Sequence, residues 1–217
     1  MTHPLSVRTR AILLLAGLVA GPVVAHAQKR EPALPLSTST LGGQTVSVLP
    51  LTMVVADSAV TADTALYAPY RDRRTTLLWA DSLLGEMLTS RAPEVKWVLP
   101  PALRKSARRN AGFIPDPDQM GQAVMRSHGM KQIPDPLRSS LRSVVAIAGG
   151  RYALIPAALV FSHDTSGAVR ADFALAFGDA RTGTVLWHSL ATGLGAKPGA
   201  ALLAALDTIL PPDTALK

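Results

Sequence analysis

The histidines beyond residue 27 and their neighbours have the side-chain types that acid–base or nucleophilic catalysis needs. His163 is followed by Asp164, whose carboxylate could orient an imidazole, and His188 is followed by Ser189. A small hydrolase built on His163 and Asp164 would need a pocket that joins His163 to Ser189 or His188. The other interpretation is a turn aspartate beside a surface histidine. We favour it, because no G-x-S-x-G motif places a serine on a strained turn.

Metal and cofactor sites have little support in the sequence. His128, His163 and His188 lie far apart and lack the spacing of metal ligands, and the chain has no cysteine. Asp116 and Asp118 could form a carboxylate pair, but their position before an apolar run is typical of a helix start. No glycine-rich segment matches a phosphate-binding loop. The sequence therefore predicts no metal, no cofactor and no catalytic residue.

The excess of positive charge is concentrated in the middle of the chain. Residues 96–151 contain ten basic and three acidic residues, whereas 28–95 and 152–217 each have a net charge of −1. We predict a partner-binding surface on one side of a short helix there, formed by Arg104, Lys105, Arg108 and Arg109. A solvated helix face is the alternative.

The partner of this basic segment would be an acidic envelope protein or an anionic envelope surface, such as lipid headgroups or lipopolysaccharide phosphates. Nucleic acid is not expected, because the chain is predicted to be exported and no aromatic residues alternate with the arginines.

The first 27 residues have the pattern of a cleaved secretory signal peptide. Two arginines precede an apolar run over 11–20, and small residues lead up to a cleavage site near Ala27. Residues 28–43, rich in Pro, Ser and Thr, predict a flexible linker. Without a cysteine there is no site for an amino-terminal lipid, and no second apolar stretch is long enough to span a membrane. We expect a periplasmic protein that is soluble or peripheral after cleavage.

Residues 44–212 are predicted to form a single α+β domain, with a basic helical insertion over 100–150. Apolar periodicity and turn residues predict strands over 44–55, with a bend or edge at Pro50, and over 94–99, 151–162, 169–178 and 184–192. The same signals predict helices over 71–91, 100–110, 116–128, 135–148 and 198–210. The order is β-α-β, three helices, then β-β-β-α. It predicts a mixed sheet of about five strands, parallel at first and antiparallel at the end.

Two segments, Val46–Leu51 (VSVLPL) and Gly178–Trp187 (GDARTGTVLW), carry a family resemblance. They resemble an envelope-protein superfamily that includes curli-secretion lipoproteins, the amino-terminal domain of TolB and lipoprotein activators of penicillin-binding proteins. The resemblance implies a noncatalytic domain that binds partners, assembles or scaffolds. The chain departs from the pattern in lacking a lipid-attachment cysteine, and its basic segment is longer.

The sequence as a whole predicts a noncatalytic periplasmic protein that binds or scaffolds an envelope partner. The small hydrolase remains the alternative. A subunit that works only as an oligomer is a third possibility.

Overall fold

The computed structural model describes residues 33–210, in which a six-stranded mixed sheet carries helices on both faces. The signal-peptide prediction for 1–27 lies outside the described residues. The strands are β1 (Thr45–Val48), β2 (Val54–Ala56), β3 (Lys96–Val98), β4 (Tyr152–His163), β5 (Val169–Asp179) and β6 (Val185–Gly195). The helices are α1 (Ser58–Ala62), α2 (Thr64–Tyr67), α3 (Arg73–Arg91), α4 (Pro100–Arg109), α5 (Leu137–Ile147) and α6 (Pro198–Ile209).

The sheet confirms the α+β class and the mixed strand directions. Its main order is β3-β1-β4-β5-β6, and β2 pairs with β4 outside this path. Strand β1 runs parallel to β3 and to β4, whereas β4, β5 and β6 form an antiparallel meander. The helix between β1 and β3 makes a parallel pair possible, and the short turns after β4 and β5 make the later strands antiparallel.

A sixth strand arises because the stretch predicted over 44–55 is divided. Strand β1 ends at Val48, the chain leaves the sheet at Pro50, and β2 begins at Val54. Both pieces pair with β4, since Leu49 N donates to Leu154 O at 2.9 Å and Leu159 N donates to Met53 O at 3.0 Å. The bend expected at Pro50 is therefore an excursion between two strands, because proline has no N–H to continue the ladder.

Two apolar layers cover the sheet, one on each face. On one face, α3 and α6 pack over β4 and β5 through residues such as Leu84, Leu202 and Phe173. On the other face, α4, α5 and the segment around Met125 pack over Ala153 and its neighbours. Strand β4 is thus buried on both faces, which is why its sequence is a nearly continuous apolar run.

The helix predicted over 116–128 is wrong in type. The structure has two short 3-10 helices there, Pro117–Gln119 and Gln122–Arg126. Gly121 separates them with a φ of 77°, a left-handed conformation that ends the hydrogen-bond ladder of an α-helix. Asp116 does cap the first of them, accepting a hydrogen bond from Asp118 N at 3.0 Å.

The described part of the predicted linker, residues 33–43, packs against the sheet and α6. Leu34 N donates to Ser189 Oγ at 3.1 Å, and Leu36 N donates to Ile209 O at 2.9 Å. The side chains of Leu36 and Leu41 are buried. The segment has little regular structure, but Leu36 and Leu41 belong to the core of the domain, whereas Leu34 is exposed.

Among residues 33–210, no helix has the length and apolar character needed to cross a bilayer.

Candidate functional site

Helix α4 presents the basic surface that the charge distribution predicts. Its first turn contains two prolines, which suit positions where backbone N–H groups have no partner within the helix. Leu103 and Ala107, one turn apart, are buried against the core. Lys105, Arg108 and Arg109 are exposed on the other side. Their spacing of three and four residues places these three cations on one helix face.

Arg104 differs from these three residues, because the structure encloses it between two carboxylates. Its Nη2 lies 2.7 Å from Asp81 Oδ2 and 2.7 Å from Asp118 Oδ1, and its Nε donates to Asp118 Oδ2 at 2.9 Å. Only 14% of its side chain is exposed. Arg104 therefore links α4 to α3 and to the turn at Asp118. Of the four residues predicted for partner contact, it is the one engaged inside the domain.

Asp81 connects this ion pair to the excursion between β1 and β2. Its Oδ1 accepts a hydrogen bond from Leu51 N at 2.8 Å, inside the segment that leaves the sheet. Burial raises the pKa of Asp81 to about 6, although the bonds from Leu51 and Arg104 act to lower it. The carboxylate thus satisfies a backbone donor that the sheet leaves without a partner, and Arg104 supplies its counter-charge.

A polar cleft of about 670 Å³ lies between α4 and the start of α3, lined in part by Arg73, Arg74 and Arg108. Its acidic residues are engaged within the chain. Asp72 caps α3, Asp116 caps the 3-10 helix Pro117–Gln119, and Asp118 binds Arg104. The basic surface of α4 therefore continues across this cleft towards α3.

Phe113, just after α4, is an exposed residue that the sequence did not single out. Its side chain is 88% exposed, the highest value among the large exposed apolar residues of 33–210. It lies in a tight turn just after α4, where its N–H donates to Asn110 O at 3.0 Å and Gly112 has a φ of 89°. The available signal was an aromatic residue beside a glycine, outside any apolar periodicity. Scattered exposed leucines need no explanation, but a nearly bare phenylalanine four residues after Arg109 does.

The residues of the hydrolase alternative do not converge. Asp164 accepts hydrogen bonds from Ser166 N, Ser166 Oγ and Ala168 N at 2.7–2.9 Å. These bonds stabilise the turn between β4 and β5. His163 pairs with Val169 at one end of β5, whereas Ser189 pairs with Leu175, six residues along the same strand. At about 3.3 Å per residue, that separation is about 20 Å.

His188 and Ser189 point to opposite faces of the sheet, as neighbours in a strand must. Ser189 Oγ accepts from Leu34 N on the α6 side. His188 Nε2 lies 2.9 Å from Met125 O on the other side, and since a carbonyl accepts, this nitrogen donates. A single catalytic site therefore cannot use both the His188 and the Ser189 side chains.

The structure brings His128 beside His188, although the sequence separates them widely. Their ring centroids are 4.6 Å apart, with an edge-to-face arrangement. Burial lowers the pKa of His188, and the charge of His128 lowers it further, while the bond to Met125 acts in the opposite direction. Within the described residues, no group of three or more His, Asp or Glu side chains is placed to hold a metal ion.

Comparison with known proteins finds similar solved structures but no matching sequence family. No family model matches the chain, and no curated protein matches it. The chain is similar to the C-terminal domain of LpoB from Salmonella enterica, with 12% identity over 70% of this chain and 82% of that one, and a TM-score of 0.39.

Two further solved structures resemble the chain at a comparable level. PelC L103M from Paraburkholderia phytofirmans, described as a dodecamer, has 12% identity over 82% of this chain and 91% of its own, with a TM-score of 0.36. Lipoprotein GNA1162 from Neisseria meningitidis has 14% identity over 71% of this chain and 82% of its own, with a TM-score of 0.33. At these identities and TM-scores the likeness carries no conclusion about a site.

Proposed function

We propose that this chain is a noncatalytic binding protein of the bacterial envelope, exported to the periplasm, which contacts an envelope protein or an anionic envelope surface through α4. The observation that carries the proposal is the exposed set of Lys105, Arg108, Arg109 and Phe113 on one helix and its following turn. Three cations can attract an anionic partner over a distance, and an exposed aromatic ring adds apolar contact once the partner is reached.

The rigidity of the support favours binding over a solvated helix face. The inner side of α4 is fixed by Leu103 and Ala107 in the core, and its outer edge is fixed by the bonds of Arg104 to Asp81 and Asp118. The helix is therefore already ordered before a partner binds. Binding then costs conformational entropy only for the exposed side chains that the partner immobilises. The separation of His163 from Ser189 and the turn role of Asp164 support a noncatalytic role.

Charge reversal at the three exposed cations tests the proposal. The variant K105E/R108E/R109E keeps Arg104 and with it the link between α4 and α3. Its matched control is K96E/R126E/K197E, which changes the net charge equally at three exposed residues outside α4. The measurement is co-sedimentation of the exported protein with isolated envelope fractions at low and at high salt.

We expect the wild-type protein to bind in a salt-sensitive way and the α4 variant to lose that binding. One basic residue near an anionic surface contributes about 1 kcal/mol, so that losing three weakens binding by roughly 100-fold. The variant F113A should weaken binding by about tenfold or more at unchanged charge, because burying a phenylalanine side chain contributes about 1.5–3 kcal/mol. Equal losses in the α4 variant and its control, or no loss in either, would show that α4 is not the contact surface.

A further inference from the structure

A pocket of about 420 Å³ lies between the second half of α5 and the turn that joins β5 to β6. Three arginines line it: Arg142 from α5, Arg151 just before β4, and Arg181 from the turn. Its volume is within the range of small-molecule sites in proteins. The pocket lies outside α4, so that an inference about it goes beyond the function proposed above and does not rest on it.

Two of the three guanidinium groups are held in place by bonds within the chain. Arg151 Nε donates to Asp179 Oδ2 at 2.8 Å, its Nη2 donates to the same oxygen, and its Cζ lies 5.3 Å from the centroid of the Tyr152 ring. Arg142 Nη2 donates to Arg181 O at 2.8 Å. Because a guanidinium group has five N–H donors, each of these two groups is oriented by the protein and keeps further donors for a ligand.

The positive charge around the pocket is only partly compensated. Asp179 pairs with Arg151, and its Oδ1 accepts hydrogen bonds from Arg181 N and Thr182 N. Neither Arg142 nor Arg181 forms an ion pair within residues 33–210. Three arginines and one aspartate leave two positive charges at the pocket without a partner in the described part of the chain.

Arg138 adds a fourth cation beside the pocket, one helical turn before Arg142 on α5. It lies against Gly183 of the turn, where an added Cβ would stand 2.6 Å from Arg138 Nε. That nitrogen is buried and has no hydrogen-bond partner. Burying an unpaired donor costs free energy, so that internal hydrogen bonding does not account for the position of Arg138.

Apolar side chains form the rest of the pocket wall. Val145 and Ala146, near the end of α5, and Ala180 lie there between the arginines. The carbonyl groups of Val145 and Ala146 already accept hydrogen bonds, from Gly150 N and Gly149 N respectively, both at 3.1 Å. The pocket therefore suits a ligand that combines an anionic group with an apolar part.

We propose that this pocket binds a phosphate monoester, with the phosphate among Arg142, Arg151 and Arg181 and the apolar part against Val145 and Ala146. A phosphate monoester carries a charge of about −1.5 to −2 at pH 7 and has three acceptor oxygens, so that it can engage several guanidinium groups at once. A carboxylate has one charge, and a single guanidinium group matches it. Soluble phosphate esters and the headgroup of phosphatidic acid offer the same recognition chemistry.

Isothermal titration calorimetry of the exported protein tests the pocket, with hexyl phosphate as the probe. We expect saturable binding that R142Q/R181Q weakens by about 100-fold, because each lost charge-assisted contact weakens binding by about tenfold or more. The matched control R71Q/R126Q changes two exposed arginines outside the pocket and should leave the affinity unchanged. Hexanoate should bind at least about tenfold more weakly than hexyl phosphate, and so should inorganic phosphate, which lacks the apolar part.

The variant A146E gives a second measurement that retains every arginine. Ala146 is exposed on the pocket wall, and a glutamate there suits the helix but places a carboxylate where the phosphate would bind. We expect A146E to lose binding of hexyl phosphate with an unchanged circular dichroism spectrum. The control I147E, at the next residue, which is 48% exposed and outside the pocket lining, should retain it.

Dihexanoyl phosphatidic acid distinguishes the two sources of the ester. Tighter binding than hexyl phosphate assigns the pocket to a lipid headgroup, and weaker binding assigns it to a soluble ester. The proposal is overturned if neither compound binds saturably, if R142Q/R181Q binds as well as the wild-type protein, or if hexanoate binds as well as hexyl phosphate. No envelope fraction is present in these titrations, so that their outcome does not depend on the contact proposed for α4.

Discussion

The buried pair of Asp81 and Arg104 predicts a stability effect whose size depends on pH. The change is Arg104→Met, which keeps much of the side-chain volume and removes the charge. Asp81 would then hold its bond from Leu51 N without a counter-charge, in a site where its side chain is 3% exposed. Breaking a buried ion pair on one side costs about 3–5 kcal/mol in the free energy of unfolding, because the remaining charge is uncompensated.

The pH dependence follows from the raised pKa of Asp81, which goes from 3.8 in the unfolded chain to about 6 in the folded one. Between these values the folded state binds more protons, so that stability falls as pH rises. For the wild-type protein the free energy of unfolding should therefore fall by about 3 kcal/mol from acid to neutral pH. Each tenfold change in the proton affinity of Asp81 corresponds to about 1.4 kcal/mol. Removing Arg104 raises the pKa of Asp81 further, and the cost of the variant therefore grows above pH 6.

The measurement is urea unfolding followed by the fluorescence of the three tryptophans, at about pH 5 and about pH 7.5. At pH 5 Asp81 is largely protonated, and we expect the cost of Arg104→Met to be less than half of its value at pH 7.5. The control is Arg108→Met, on the same helix but exposed, which should change stability by less than about 0.5 kcal/mol at either pH. A cost for Arg104→Met that is equal at both pH values would refute the assigned role of the Asp81 charge.

Two further predictions concern the sheet. Gly193→Ala should destabilise the protein by about 1–3 kcal/mol in urea unfolding, because the new methyl group would displace the backbone of α6 at Ala201 and Ala205, and an effect near zero would show that α6 does not lie against β6. His188 should titrate below its ordinary value of 6.5 in an NMR pH series, because burial disfavours the imidazolium. The unfolded state then binds more protons below pH 6.5, so that His188 lowers stability as the solution becomes more acidic, and a titration at or above 6.5 would contradict its buried position.

Local patterns were sufficient to predict most of the elements. The 3.6-residue period of Leu77, Leu84 and Leu88 predicted α3, and the turn residues around Asp164 and Gly183 predicted the antiparallel meander. These signals act over a few residues and need no knowledge of the partner element. The helix expected over 116–128 failed because capping residues and apolar residues do not reveal the left-handed backbone that Gly121 adopts.

The candidate site was predicted only in part, because exposure depends on distant residues. Composition and helical spacing identified α4 and its basic face. Neither property distinguishes Arg104 from Arg108. In the structure Arg104 pairs with Asp81 of α3 and is mostly buried, whereas Arg108 is exposed to solvent. Phe113 was not predicted as a surface residue, because an aromatic side chain is expected to be buried. Only the tertiary structure shows that this ring is exposed.

The sequence by itself determined where the charge lies, that no cysteine chemistry is available, and where most of the helices and strands form. These properties are fixed by residue type and by short-range periodicity. Only the tertiary structure decided that Arg104 supports the domain, that His163 and Ser189 lie about 20 Å apart, and that β6 comes last in the main strand order of residues 33–210. Each depends on strand order and on contacts between residues far apart in the chain. The basic helix predicted from charge thus became a surface of three cations and one aromatic ring.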